Sequence, residues 1–278
     1  MEFSSIGCVL IRSNEFFNEY KAKTNFGRQL DVSKRVIYYK KVKSTQTIVK
    51  NLAEKGFGEG LVVIARKQTG AYGRIKKKWS SNAGGLWFSM LLKPLIHSDE
   101  VSKLTLVFSI ALKRVFEKEY KIDSEIKWPN DVLVLGKKIA GIIIEMSLKH
   151  NAINWLVAGV GVNINNSLPK YLEDTSISLK NVLKRKIKRS EFICAFLKEF
   201  ENLYFDFKIN GFKNFLEEYN NKLAYRNENI TVDDGYNIIT GRNLGADEKG
   251  RLVVKTKNTL EKIASGTVRL AKDEVKTA

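Results

Sequence analysis

Residues 126–147 read IKWPNDVLVLGKKIAGIIIEMS, and this stretch restricts the fold more tightly than any other. Two apolar segments flank Gly136-Lys137, which predicts a hairpin with an extra turn at Pro129-Asn130. A plain turn has no use for the lysine and tryptophan of KWPND (127–131), so Lys127, Asn130 and Asp131 are candidate site residues. In GKKIAGIIIE, Ala140 and Gly141 leave backbone uncovered beside Lys138, as a flat ligand requires. The plainer reading of Lys138 is an edge-strand lysine. A third segment, WLVAGVGVNIN (155–165), predicts another strand with glycines inside it. Glycine there weakens a strand and often marks a close approach to the backbone.

The rest of the chain supplies helices and further strands. TQTIVKNLAEK (45–55) has helical spacing through Ile48, Leu52 and Ala53. LVVIA (61–65) and GLWFSMLLK (85–93) read as strands. Over 101–120 the series Leu104, Val107, Phe108, Ala111, Leu112, Val115 predicts an amphipathic helix. Ser190 is a candidate N-cap for a helix to about Asn210, with Glu191 in its first turn, and a shorter helix is expected over 212–220. After Arg226 the texture changes to short β runs, NITVDD, YNIITGR, RLVVKT and TLEKIASG. They predict a small barrel of about 45 residues and a boundary near 224.

Composition narrows the chemistry. At 278 residues with 44% hydrophobic side chains, the chain can bury a sizeable core. No apolar run approaches the roughly 20 residues of a membrane-spanning helix, and MEFSSIGCVLIRSNEFF has no secretory pattern. Two cysteines, Cys8 and Cys194, fit a reducing cytoplasm rather than a disulfide framework or a zinc cluster. Two histidines, His97 and His150, stand in unrelated contexts, so chemistry without a histidine base or a histidine-held metal is expected. No GxxxxGK[ST] occurs, and no Ser-His-Asp or Cys-His set can be assembled. The net charge of +18 invites a nucleic-acid partner, but the lysines run along the whole chain, as in a lysine-biased proteome. A partner carrying phosphate or carboxylate is equally compatible.

Two more polar sites stand at strand or helix ends. Ser44-Thr45-Gln46 precedes the first helix, where a simple N-cap is the plainer reading. Gln68-Thr69 leads into AYGRIKKKWSSNAGGLWFS (71–89), a basic loop before an apolar strand. Such a loop can clamp phosphates, lie on nucleic acid or be solvated.

Together these motifs resemble the biotin protein ligases, from about Phe26 to Leu270. The order is Gln68-Thr69, AYGRIKKKW (71–79), GGLWFS (84–89), KWPNDVLV, KKIAGIIIE, GVGVNIN and SGTVRL. KWPND followed by KKIAG is far more specific than any glycine loop. The resemblance implies an α+β fold, a mixed β-sheet catalytic domain of the biotin/lipoate ligase type packed with helices, plus a small C-terminal SH3-like β-barrel. It implies an N-terminal extension (1–25), a catalytic biotin- and ATP-binding domain (26–224) and a barrel domain (225–278). It further implies that biotin and ATP form biotinyl-5'-AMP with Mg²⁺, and that biotin passes to a lysine of a biotin carboxyl carrier protein.

By the same resemblance Ser44, Thr45, Gln46, Gln68, Tyr72 and Gly73 attend biotin. Arg74 takes the place of a loop arginine that contacts biotin and phosphates, and Lys138 matches a lysine that meets the biotin carboxylate and the α-phosphate. Lys138 and Arg74 are the expected catalytic pair. Lys77, Trp79, Lys127, Asn130, Asp131 and Asn163 fall on the ATP side, with no protein cage for a metal. A carboxylate is already an anionic nucleophile, so the first step needs cations rather than a base, which agrees with the scarcity of histidine. Where the family writes Gly-Arg-Gly-Arg-x-Gly-Arg-x-Trp, this chain has Ala71 and Tyr72, and Lys76-Lys77 in place of Gly-Arg. Some members carry an N-terminal DNA-binding winged helix of about 60 residues. The 35 or so residues before Val36 are too few for it, so no DNA is expected, nor a membrane, while a homodimer is. The competing readings are a lipoate or octanoate ligase of the same superfamily and a basic nucleic-acid-binding protein.

Overall fold

The computed structural model describes residues 8–13, 19–24 and 35–271. Strands β1 (Cys8–Ser13), β2 (Glu19–Thr24) and β3 (Arg35–Tyr39) lead into helix α1 (Thr45–Glu54) and strand β4 (Leu61–Ala65). Strand β5 (Leu86–Leu92), the long helix α2 (Val101–Tyr120) and strands β6 (Glu125–Lys127), β7 (Asp131–Val134), β8 (Lys137–Lys149) and β9 (Ala152–Val162) follow. Helices α3 (Leu179–Leu183), α4 (Arg189–Asn210) and α5 (Leu216–Asn221) precede β10 (Asn229–Asp233), β11 (Ile238–Ala246), β12 (Leu252–Lys255), β13 (Leu260–Ile263) and β14 (Thr267–Leu270).

Nine strands form one mixed sheet in the order β1-β2-β3-β4-β5-β9-β8-β7-β6, antiparallel except where β3 pairs β4. Alternation along the strands sorts side chains onto two faces. Val62 and Ile64 of β4, Phe88, Met90 and Leu92 of β5 and Leu156, Ala158 and Val160 of β9 join α2 and α4 in the main core. The other face offers Leu61, Val63, Leu91, Trp155 and Val157, which Val49 and Ala53 of α1 cover. Helices therefore cover both faces, which is why β4 reads as an unbroken apolar run and β5 as one interrupted only by Ser89. Between α2 and α4, Phe108 and Phe200 approach to 4.0 Å between ring centroids.

The last five strands form an antiparallel sheet in the order β13-β12-β11-β10-β14. The expected barrel is not closed, because β13 and β14 do not pair. The sheet is nonetheless curled. Only residues 264–266 join the opposite edges at Ile263 and Thr267, a reach of about 15 Å, whereas four strand spacings laid flat span about 19 Å. Its apolar face, with Ile230, Val232, Leu252, Val254 and Val268, belongs to the main core. One helix expectation is also corrected, and a second is found with a 3₁₀ start. Helix α4 begins at Arg189, with Lys188 rather than Ser190 at the N-cap and no side-chain cap bond; Arg189 Nη1 donates to Gly85 O at 3.1 Å, which anchors that earlier start. The helix expected over 212–220 is a 3₁₀ turn, Lys213–Phe215, running into α5.

Helices α2, α4 and α5 are also joined by charge. Arg114 donates to Glu218 through Nε at 3.1 Å and Nη2 at 2.6 Å, and to Glu199 through Nη1 at 2.9 Å. Burial alone would raise both carboxyls, but Arg114 and the neighbouring Lys118 and Lys113 hold them below the usual glutamate range. A depressed folded-state pKa gives stability that is present above the unfolded value and lost as pH falls through the folded one. Acid should therefore weaken the native protein below about pH 4.5. Arg114→Met should cost about 1–3 kcal/mol at pH 7, between the exposed and buried ion-pair ranges, and should flatten that acid dependence. Urea denaturation at pH 7 and at pH 4 measures both.

Candidate active site

The sheet face that α1 covers loses its side chains just beyond the N-terminus of that helix. Along β9 the series Trp155, Val157 continues as Gly159 and Gly161, and Gly141 of β8 pairs with Gly161. The indole of Trp79 lies on this bare floor. A Cβ on Gly161 would come within 2.6 Å of Trp79 Nε1, and one on Gly141 within 3.1 Å of the same ring. A Cβ on Gly159 would meet Gln46 Oε1 at 2.6 Å. The strand glycines thus mark a close approach, and what approaches is protein. Trp79 Nε1 is buried without a hydrogen-bond partner.

Lys138 reaches the same face through a bulge. Val132 pairs with Ala140 but Leu133 pairs with Lys138, so Ile139 is the extra residue on β8. Three residues before Gly141, Lys138 would otherwise point to the opposite face; the bulge re-aims it. Its Cε would lie 3.1 Å from a Cβ on Gly141, and its ammonium stands 4.9 Å from the Trp79 ring centroid. Lys138 Nζ forms an ion pair of 2.6 Å with Asp131 Oδ1, though not in hydrogen-bond alignment. Ala140, expected to lie beside it at the site, is instead buried in the core on the other face.

The polar end of α1 closes one side of the cavity. Ser44 holds the N-cap position, yet its side chain makes no cap bond. Gln68 Oε1 instead accepts from Thr45 N at 2.7 Å and Thr45 Oγ1 at 3.2 Å, and Gln68 Nε2 donates to Ser81 Oγ at 3.1 Å. Thr45 Oγ1 lies 2.8 Å from Ser89 Oγ, Ser89 Oγ donates to Gln46 Oε1 at 3.0 Å, and Gln46 Nε2 donates to Val157 O at 2.8 Å. Thr45, Gln46, Ser81 and Ser89 are buried, and Gln68 is half-buried.

The basic loop forms a flap above. Arg74 Nη1 donates to Asn130 Oδ1 at 3.1 Å and to Gly266 O at 3.0 Å, so the flap is tied both to the KWPND turn and to the C-terminal sheet. Burial pushes the guanidinium below its ordinary value while Asp131 opposes the shift; it stays protonated at any physiological pH. Asn130 Nδ2 donates to Ile142 O at 3.0 Å, which fixes the amide that receives Arg74. Lys76, where the family writes glycine, has φ 54°, and Ile75 beside it has φ 52°.

The resulting cavity holds about 610 Å³, within the range of small-molecule sites. Ser44, Thr45, Gln46, Gln68, Tyr72, Gly73, Arg74, Lys77, Trp79, Lys127, Asn130, Asp131, Lys138 and Asn163 all line it. Lys77 is exposed at the rim, and the Lys127 ammonium is 5.5 Å from the Tyr225 ring centroid. Asn163 is buried and accepts from Asn166 Nδ2 at 3.0 Å. Sequence reasoning assigned no role to Ser89, a lone hydroxyl in LWFSMLL, or to Gly266-Thr267, which stand in the SGTVRL motif.

Two family models match: the Biotin/lipoate A/B protein ligase family over residues 38–163, and the Biotin protein ligase C terminal domain over 226–270. The chain is similar to the bifunctional ligase/repressor BirA of Bacillus subtilis, 33% identical over 90% of this chain and 78% of that protein. It is also similar to the chloroplastic biotin–protein ligase 1 of Arabidopsis thaliana, 30% identical over 75% of this chain and 56% of that protein. Among solved structures, the biotin protein ligase of Aquifex aeolicus in complex with biotin and ATP superposes with a TM-score of 0.77 at 30% identity, over 85% of this chain and 99% of that one.

The start of α1 distinguishes two substitutions. Ser44→Ala should cost less than about 0.5 kcal/mol, below the usual N-cap range. Gln68→Ala, which orphans the Thr45 amide, should cost about 1–2 kcal/mol. Urea midpoints of the two variants test this; the reverse order would restore the ordinary cap.

Proposed function

The chain belongs to the biotin protein ligases, and from that premise we propose that its cavity joins the carboxylate of biotin to the α-phosphate of ATP. The observation that carries the proposal is the bulge at Ile139, which puts Lys138 on the glycine floor facing the flap of Arg74. Two cations held at one cavity suit a reaction between two anions. In the first step a biotin carboxylate oxygen attacks the α-phosphorus. A new P–O bond forms, the α–β bridging bond breaks, and pyrophosphate leaves with the electron pair. Lys138 and Arg74 draw the anions together and hold the charge that develops on the phosphoryl oxygens. No proton has to be removed.

In the second step the neutral amine of a carrier-protein lysine attacks the carbonyl carbon of biotinyl-5'-AMP. The amide forms, the acyl C–O bond to the phosphate breaks, AMP departs with the electron pair of that bond, and the amine proton passes to solvent. The buried chain of Thr45, Ser89 and Gln46 offers donors and acceptors to the polar head of biotin, with Gln68 behind them. Trp79, whose ring covers the floor and whose Nε1 has no partner, supports a role in covering the adenylate. Tyr72, Gly73 and Lys77 belong to the flap, and Lys127 and Asn163 to the nucleotide side.

Mg²⁺ fits this set as an ion that arrives on ATP. Asp131, with a buried Oδ1 lacking a hydrogen bond, and Asn130 would meet it, and no cluster of three His, Cys, Asp or Glu side chains suited to a metal occurs among the described residues. Such a donor set suits an ion that keeps several waters and rides on phosphates. When bound it neutralises phosphate charge. The acceptor in this proposal is a biotin carboxyl carrier protein, reached by a cytoplasmic homodimer that needs no DNA. Among the described residues no helix is long and apolar enough to cross a membrane. The division into an N-terminal extension (1–25), a catalytic unit (26–224) and a C-terminal unit (225–278) belongs to the same proposal.

Incubation with ATP, Mg²⁺ and either biotin or lipoate, assayed for pyrophosphate, tests the reading; release with lipoate alone would overturn it. Lys138→Ala should lower biotin-dependent exchange of pyrophosphate by about 30- to 1000-fold, the equivalent of about 2–4 kcal/mol of transition-state stabilisation. Near-native exchange in a folded variant would remove Lys138 from the catalytic pair.

A further inference from the structure

The flap that carries Arg74 is strained and anchored. Ile75 and Lys76 both sit in the left-handed region, at φ 52° and 54°. For a β-branched residue this is costly, and such backbone persists only where its surroundings over-determine it. Ile75 itself is 78% exposed and contributes no packing. The flap holds itself partly through Gly73 N to Lys77 O at 2.8 Å and Trp79 N to Ala71 O at 3.0 Å. Its remaining anchors differ on its two sides. Arg74 bonds towards the C-terminal sheet, within the cavity.

On the other side stands Glu145, which does not line the cavity. It lies on β8, four residues beyond Gly141 and on the same sheet face, opposite Lys50 of α1. Tyr72 Oη donates to Glu145 Oε2 at 2.9 Å, and Lys50 Nζ donates to Glu145 Oε1 at 3.2 Å and to Tyr72 Oη at 3.3 Å. Lys76 Nζ adds an ion pair with Glu145 Oε1 at 3.7 Å and stands 4.2 Å from the Tyr72 ring centroid. One carboxylate thus gathers α1 and two flap residues. Both flap residues are among those that depart from the family pattern, a tyrosine for an arginine and a lysine for a glycine.

We infer that Glu145 is a positioning residue, which with Lys50 clasps Tyr72 and Lys76 and holds the flap closed before any substrate arrives. Tyr72 has then exchanged a direct charge on the substrates for an anchor outside the cavity. The flap enters binding already ordered, so less ordering entropy opposes closure over the adenylate. The kinetic consequence rests on the biotin ligase reading; the closed state of the free flap does not.

The experiment has two arms. Limited trypsin digestion of the substrate-free full chain, with mass spectrometry, follows cleavage after Arg74, Lys77 and Lys78. In Glu145→Gln and in Lys50→Met this cleavage should rise about tenfold or more, the weight of a charge-assisted hydrogen bond, while cleavage elsewhere holds. Biotin with ATP should restore protection. In the second arm, release of preformed biotinyl-5'-AMP should speed up by a similar factor in Glu145→Gln, with its formation at saturating substrate within about twofold of native. Unchanged flap cleavage in both folded variants would overturn the clasp. So would formation slowing by about the factor by which release speeds up, since that marks a group acting on the reacting atoms. If the protein makes no biotinyl-5'-AMP, the ligase reading fails in the second arm alone, and the first arm still decides whether the flap is clasped.

Discussion

The contact between the Trp79 indole and the backbone of Gly141 and Gly161 is the constraint on which the rest of the site depends. A strand face must be covered or filled, and along most of this sheet face α1 covers it with Val49 and Ala53. Past the N-terminus of α1 that cover stops, and the strands compensate by carrying glycine. The indole then lies close enough that a single methyl on Gly161 would collide with it. A rigid aromatic at that distance fixes the far end of the flap, and with it the point from which Arg74 reaches back. Lys138 needs the same bare floor, because its stem runs alongside Gly141.

The second sheet completes the enclosure. Gly266 accepts from Arg74, and the carbonyl of Gly250 accepts from the buried indole of Trp128 at 3.0 Å. The tryptophan of KWPND therefore faces the C-terminal strands, while the Asn and Asp of the same motif face the cavity. One five-residue segment places Asn130 and Asp131 at the cavity and secures the sheet beside it. This explains why a plain turn would not serve at that position.

Much of this was legible in the sequence where a pattern repeats over many residues. LVVIA announces itself as a continuous apolar run buried on both faces, and the 101–120 helix by its periodic buried face. The glycines of GVGVNIN signalled a close approach, and the motif order carried the family. What could not be read depends on pairing between distant segments. A bulge at Ile139 is invisible in KKIAG, so Ala140 looked like a neighbour of the ligand when it is core. Ser44 looked like a cap because local rules favour serine there, but Gln68, from 23 residues away, supplies the acceptor. Glu145 and Lys50 lie 95 residues apart and gave no local sign of meeting. The barrel was overdrawn because five short strands fix a curl but not the pairing of the last edge.

Placing one methyl on the floor tests the site most directly. In Gly161→Ala the Trp79 ring must move, while the strand backbone itself tolerates alanine. The expected result in biotin-dependent pyrophosphate exchange is a KM raised about tenfold or more for both biotin and ATP, equivalent to about 1.4 kcal/mol or more, with a melting temperature within a few degrees of native. Native KM values for both substrates in that variant would contradict the glycine floor and the indole above it as the basis of the site.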